Sequence, residues 1–189
     1  MKTVRNAELE HLWFSNVIEA IFVKGLGSKL TLDLREQLRQ VGIDLMKLQP
    51  AYPVRVVKAG LKLASNDIFP GESEAEALRQ LGAWSMQGYA QTLIGQAVVQ
   101  ILKIIGVRRS LLRMHTNLRS GNNYLETSAR VVSPSCVELK LSDVSEIPSF
   151  YQGIFEEGGR MAHAKNLRIS SVGSEADWPA HTFRVAWDE

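Results

Sequence analysis

Through the first two thirds of the chain, apolar residues recur every three or four positions, the spacing of one face of an α-helix. This spacing predicts a first helix over Leu12–Phe22 that ends near Gly25 or Gly27. Thr31 precedes a second apolar face and has the side chain of an N-cap. It therefore predicts a helix of about ten residues that Gly42 ends.

Three further helices follow from the same spacing. The first covers Val54–Ala64, and the second, over Ser73–Leu93, is the most clearly amphipathic segment. Within it, Gly82 and Gly88 have no side chains and leave room for the close approach of another element. The third, Ala97–Ile105, is apolar on nearly all sides, so it is predicted to be the central, buried helix of the helical part.

In the last third of the chain the hydrophobic period changes to two, the pattern of strands with one buried face. Leu125–Val131 and Val137–Leu141 predict a first hairpin. Pro148 suits the first turn of a helix. Leu167–Val172 and Thr182–Trp187 then predict a second hairpin, so the chain is expected to end as strand, strand, helix, strand, strand.

These elements predict an α+β fold, with a mainly helical part in residues 1–120 and an antiparallel sheet with a helix in residues 121–189. The sheet consists of two hairpins that flank the helix (β-β-α-β-β). A chain of 189 residues with 45% hydrophobic residues can bury one continuous core. No repeat or linker divides it, so residues 1–189 are expected to form a single domain.

The net charge is only +2, but the basic residues are unevenly placed. No acidic residue occurs between Glu76 and Glu126, a stretch that contains Arg79, Lys103, Arg108, Arg109, Arg113 and Arg119. Guanidinium groups without local acids can receive a phosphate, a carboxylate or an acidic partner surface. The candidate ligand- or anion-binding residues are therefore Arg108, Arg109, Arg113, His115, Arg119 and Asn122. In the alternative interpretation, distant acids such as Glu72, Glu156 or Glu157 pair with this stretch across the fold.

No grouping typical of a metal site or an active site occurs in the sequence. The four histidines lie in separate segments, and the single cysteine, Cys136, is interpreted as a buried structural thiol in a reducing compartment. The chain is expected to be no enzyme and to carry no metal or cofactor. The alternative is haem with His115 as axial ligand, although a lone histidine is more often a surface or hydrogen-bonded residue.

Composition also limits the partners. Nucleic acid is not expected, because the overall charge is nearly neutral and no aromatic residue is interleaved with Arg108–Arg119. A membrane partner is not expected, because the longest hydrophobic stretch, Ala97–Ile105, is too short to span a bilayer. The N-terminus lacks a signal peptide, which predicts a cytoplasmic protein. Exposed aromatic residues near Trp13, Trp84 or Trp178 would suit a homodimer.

Short motifs along nearly the whole chain carry a family resemblance. They are Glu19-Ala20-Ile21-Phe22, Gly42-Ile43-Asp44, Pro50-Ala51-Tyr52-Pro53, Phe69-Pro70-Gly71, Gly88-Tyr89-Ala90-Gln91-Thr92-Leu93-Ile94-Gly95, Arg119-Ser120-Gly121-Asn122-Asn123-Tyr124 and Phe183-Arg184-Val185-Ala186-Trp187. With these motifs the chain resembles an uncharacterised domain-of-unknown-function family, centred on myxobacteria, whose members are about this length. The resemblance implies little about activity, because the family has no established function.

The order of elements is also similar, more distantly, to the fold shared by haem nitric-oxide/oxygen-binding domains and vinyl-reductase-like regulatory domains. The haem-binding members carry a Tyr-x-Ser-x-Arg motif before the late helix. The corresponding stretch here, Leu139-Lys140-Leu141-Ser142-Asp143-Val144-Ser145, has neither the tyrosine nor the arginine. What the resemblance implies is a pocket between helices and sheet that could hold a small or apolar ligand.

Together these observations predict a non-enzymatic regulatory or signalling module. It would bind a small or apolar ligand or an acidic protein partner, and the basic stretch would face an anion or an acidic surface. A haem-based gas sensor is the alternative hypothesis.

Overall fold

The computed structural model describes residues 10–173 and 179–188, in which a helical part precedes a sheet. β1 (Leu12–Phe14) leads into α1 (Ser15–Ile18), which continues as a π-helical segment (Glu19–Gly25) and a 3-10 turn (Gly27–Lys29). The helix predicted over Leu12–Phe22 is therefore correct from Ser15 onward. Its first three residues instead form a strand that pairs antiparallel with β2 (Ala51–Pro53).

Five more helices complete the helical part: α2 (Leu32–Gln40), α3 (Val54–Ile68), α4 (Glu74–Tyr89), α5 (Leu93–Leu112) and α6 (Met114–Arg119). Side-chain N-caps fix where three of them begin. The hydroxyl oxygens of Thr31, Ser73 and Thr92 accept the backbone N–H three residues later at 3.0, 3.2 and 3.0 Å. Gly42, at φ +103°, ends the turn after α2, as predicted.

The sheet contains β3 (Thr127–Ser133), β4 (Cys136–Leu141), β5 (Lys165–Val172) and β6 (His181–Asp188), with α7 (Pro148–Met161) between the hairpins. All neighbours are antiparallel in the order β3-β4-β6-β5. The predicted α+β class and the β-β-α-β-β order are confirmed. The part of the last loop that carries Trp178 lies outside the described residues.

The central strands have the buried faces that their period predicted, whereas β3 does not. Val137, Leu139 and Leu141 of β4 are fully buried and pack with Phe183 and Val185 of β6. Leu125, before β3, is buried and Thr127 is half-buried, but Ala129 and Val131 are exposed. The prediction of a buried face is therefore wrong for most of β3, because packing against the described sheet does not cover these side chains at its outer strand. Cys136, at the start of β4, is half-buried rather than buried.

Helix α4 is the central helix, and glycines permit its close contacts. A Cβ on Gly82 would lie 2.0 Å from the carbonyl oxygen of Phe150 in α7, and a Cβ on Gly153 would lie 1.9 Å from that of Arg79. On the other side of α4, a Cβ on Gly88 would lie 2.1 Å from the carbonyl oxygen of Ala20. The predicted packing role of Gly82 and Gly88 is confirmed.

Helix α5 is not the central helix, which corrects the prediction from its apolar composition. Leu102, Val107 and Leu111 are buried, but Leu93 and Ile104 are 87% and 82% exposed. Gly106, at φ +74°, breaks the helix into two segments. Only one face of α5 therefore packs against the protein.

Among the described residues, no single helix is both long and apolar enough to cross a bilayer. Helices α4 and α5 reach that length and composition only as a pair, and the pair is bent by 100°.

The α4 and α7 contact makes a direct prediction. We expect Gly82→Ala and Gly153→Ala each to lower the free energy of unfolding by about 3 kcal/mol or more, because the new methyl group would overlap a backbone carbonyl. Urea denaturation measures the change.

The matched control is Gly158→Ala in α7, whose Cβ would meet only the Met86 Cε, at 3.9 Å. Alanine favours the helix, so this variant should gain about 0.5–1 kcal/mol. Similar losses in all three variants would contradict the contact.

Candidate functional site

The helices and the sheet surround a cavity of about 160 Å³. Its walls are the π-helical segment, α4, α5, α6 and α7, and Val185 of β6 reaches it from the sheet. An engineered apolar cavity of ~150 Å³ binds benzene or xenon, whereas pockets for drug-sized ligands measure ~300–1,000 Å³. The size therefore suits a small ligand.

The lining of the cavity is predominantly apolar. No charged side chain contributes to it in the part of the chain that the structure describes. The larger apolar lining residues are Trp13, Val17, Ile21, Met86, Val98, Leu102, Val107, Leu111, Met114, Leu118, Phe150, Ile154, Phe155, Leu167 and Val185. Helix α7 contributes Phe150, Ile154 and Gly158 to this lining.

Several polar groups in the lining are already hydrogen-bonded within the protein. The Ser85 and Ser110 hydroxyls each donate to a backbone carbonyl of their own helix at 2.7 Å. Asn122 is buried: its Nδ2 donates to the Leu118 carbonyl at 2.9 Å, and its Oδ1 accepts the Leu125 N–H at 2.7 Å. These groups therefore add little polarity to the cavity.

Three aromatic residues form one wall of the cavity and its support. The Trp13 Nε1–H donates to the Tyr124 hydroxyl at 2.8 Å, and Tyr124 is also hydrogen-bonded to Tyr151. Burial raises the pKa of Tyr124 to about 12 and the pKa of Tyr151 well above its usual value. Both phenols are therefore neutral near pH 7. Because Trp13 and Tyr124 lie 111 positions apart, no local sequence pattern predicted this wall.

The six candidate binding residues divide between the surface and the cavity. Arg108, Arg109, Arg113, His115 and Arg119 are all exposed, and none of them lines the cavity. The His115 Nε2 lies 3.0 Å from the Thr116 hydroxyl. Asn122 alone lines the cavity, where its hydrogen bonds hold the chain between α6 and β3.

Among the described residues, the ion pairs across the fold that the alternative interpretation expected form only at the beginning of the basic stretch. Glu156 pairs with Arg79 at 2.6 Å, and Glu157 pairs with Arg160. Within residues 10–173 and 179–188, no ion pair involves Lys103, Arg108, Arg109, Arg113 or Arg119.

The aromatic residues expected at a homodimer surface are less exposed than predicted. Trp13 is buried in the core, and Trp84 is half-buried against Phe69, with the Lys29 ammonium over its ring. Trp178 lies outside the described residues. Among those residues there is also no group of three His, Cys, Asp or Glu side chains that could hold a metal ion.

The sequence matches the model of a family described as "Protein of unknown function (DUF2378)" over residues 11–188. No curated protein matches it.

Several solved structures are similar in fold. One is an oxygen-binding H-NOX domain related to soluble guanylate cyclases, in its oxygen complex, with TM-score 0.71, 11% identity, and 93% of this chain and 95% of that chain covered. A variant of Tt H-NOX has TM-score 0.71, 14% identity and coverage of 93% and 96%. A structure on haem redox potential and porphyrin distortion has TM-score 0.70, 13% identity and coverage of 93% and 96%. These similarities show that the chain has the H-NOX fold.

The raised pKa of Tyr124 predicts alkaline destabilisation. An unfolded tyrosine ionises near pH 10, whereas Tyr124 in the folded chain ionises at about 12. Between these values the unfolded chain has lost the proton and the folded chain retains it, so rising pH favours unfolding. We expect Tyr124 to contribute a loss of about 2 kcal/mol over this range.

Urea denaturation at several pH values measures this loss. In Tyr124→Phe the free energy of unfolding should fall less steeply above pH ~10. Identical slopes in the wild type and the variant would show that Tyr124 ionises as freely in the folded chain as in the unfolded one.

Proposed function

Because the chain belongs to the family described as protein of unknown function (DUF2378), its function has to be inferred from its cavity, and we propose that it is a non-enzymatic regulatory module that binds a small apolar ligand. The ligand lies between the helices and the sheet. The observation that carries this proposal is an uncharged cavity in which buried polar groups are hydrogen-bonded to the protein itself.

The lining determines the chemical class of the ligand. A charged or strongly hydrogen-bonding molecule would lose its bonds to water on entry and find few free partners, which costs several kcal/mol. An apolar molecule has no such loss and gains contacts with side chains such as Leu102, Leu111 and Ile154. The ligand is therefore of the size and polarity of a one-ring hydrocarbon or a short aliphatic chain.

A regulatory rather than a catalytic role is supported by the same lining. General acid and base catalysis needs titratable groups near the reacting atoms. The titratable side chains among the described lining residues are Tyr89 and Tyr151, and burial raises the pKa of both. The oxygen-binding H-NOX domain of similar fold supports a sensory role by analogy.

The lining residues do not fit haem, the cofactor of the alternative hypothesis. Haem iron is ligated by histidine, cysteine thiolate, methionine or tyrosine. No histidine or cysteine lines the cavity in the described part of the chain, and His115 lies outside it. Protonated Tyr89 and Tyr151 are poor ligands, and Met86 and Met114 have no histidine to complete a Met/His pair. Lysine and arginine, which could pair with the propionates, are also missing from this lining.

Benzene is a suitable probe of the cavity. At about ten times its Kd it should stabilise the wild type by about 1.4 kcal/mol and raise Tm by about 4 °C. Gly158→Leu should abolish this rise, because Gly158 lines the cavity and the new side chain would fill it.

The control is Ala75→Leu, which adds the same side chain at an exposed position of α4 outside the cavity lining. It should retain the full rise in Tm. Absence of a rise in the wild type, or an equal rise in Gly158→Leu, would contradict the proposal. Native mass spectrometry of the protein purified from cells identifies a ligand that is retained.

Haem loading provides a separate test. We expect no stoichiometric Soret band after incubation with haemin and desalting. The described lining residues include neither a histidine to ligate the iron nor a lysine or arginine to pair with the propionates. His115→Ala should give the same spectrum as the wild type. A stoichiometric band that is lost in His115→Ala would establish His115 as an axial ligand and contradict the apolar-ligand proposal.

A further inference from the structure

The outer face of α5 is an exposed apolar stripe. Leu93, Ala97, Ile101 and Ile104 lie four, four and three residues apart, which places them on one side of the helix before the break at Gly106. All four are exposed, and Leu93 and Ile104, at the two ends of the stripe, are the most exposed of them. A contiguous apolar surface of this kind marks an interaction site.

Cations lie beside this stripe and continue beyond it. Lys103 is exposed on the flank of the stripe, together with the polar Gln96 and Gln100. Arg108 and Arg109 are exposed just after the break, and the acid-free stretch extends on both sides. No described residue forms an ion pair with these three cations, so their charges are available to a partner.

We propose that this surface, the outer face of α5 with the cations from Lys103 to Arg119, docks on an anionic lipid bilayer. A helix that lies in the headgroup region buries an apolar stripe in the acyl boundary and places lysine and arginine among the anionic headgroups. Clusters of four to eight such cations next to an amphipathic helix are typical of proteins that bind anionic lipids.

Charge distinguishes this partner from a second copy of the chain. A twofold interface would pair this stretch with the same stretch of the second copy, which contains no acidic residue between Glu76 and Glu126 to compensate the cations. A bilayer supplies both the apolar layer and the negative charge. The expectation of no membrane partner depended on the length of Ala97–Ile105, which is too short to span a bilayer. A helix that lies in the headgroup region does not have to span the bilayer, and the structure places much of this segment at the surface.

Vesicle co-sedimentation of the full chain tests this proposal. We expect binding to phosphatidylcholine vesicles that contain about one third phosphatidylserine, little binding to pure phosphatidylcholine, and weaker binding at high salt. Arg108→Glu with Arg109→Glu should weaken binding about twentyfold or more, since each cation near an anionic surface contributes about fivefold. Leu93→Gln with Ile104→Gln should weaken it about tenfold or more.

Two control pairs make the same chemical changes elsewhere. Lys47→Glu with Arg55→Glu reverses two exposed cations outside the surface, and Leu32→Gln with Met46→Gln replaces side chains that are 85% and 77% exposed. Both should bind as the wild type does. Equal binding to neutral and anionic vesicles, or equal losses in the controls, would overturn the proposal. A third result would also overturn the proposal: the wild type forms a dimer and binds no vesicles, and the double variant Leu93→Gln with Ile104→Gln is monomeric. A second copy of the chain would then cover the stripe.

Discussion

The backbone contacts of α4 with its two neighbours are the constraint on which the structure depends. At Gly82 and Gly153 the backbones of α4 and α7 approach more closely than any side chain would allow, and Gly88 permits a similar approach to the π-helical segment. Helix α4 thereby holds the start of the chain and the helix of the sheet in one core. The cavity lies beside these contacts, next to Ser85 and Met86 of α4.

Local signals in the sequence were sufficient for the helix starts and the central strands. The Thr31 N-cap, Pro148 in the first turn of α7 and the alternation in β4 all predicted what the structure shows. The predictions that α5 is the central buried helix and that β3 has a buried face were wrong for one shared reason. Apolar composition shows which residues can be buried, but only tertiary packing decides which faces obtain a neighbour. The cavity wall of Trp13 and Tyr151 depends on long-range packing and could not be predicted.

The fold of this chain does not by itself decide which ligand its cavity binds. Its H-NOX fold places helices and a sheet around a cavity, as the similarity predicted. Whether such a cavity holds haem depends on a few side chains, and here several polar groups in and beside the lining bond to one another or to the backbone. A buried group that is already hydrogen-bonded gains little from a polar ligand, which supports the proposal of an apolar one.

The exposed edge strand β3 has a consequence for how the protein behaves at high concentration. In the described part of the chain, the outer edge of β3 has no partner strand, and with exposed Val131 and Val132 it is a template on which a strand of another molecule can add. Arg130 places a charge at this edge, and the register shift between Val131 and Ser133 interrupts its regular hydrogen-bonding pattern. A charge and a bulge at an edge strand both oppose edge-to-edge aggregation, and Arg130 supplies the charge while it pairs with Glu138.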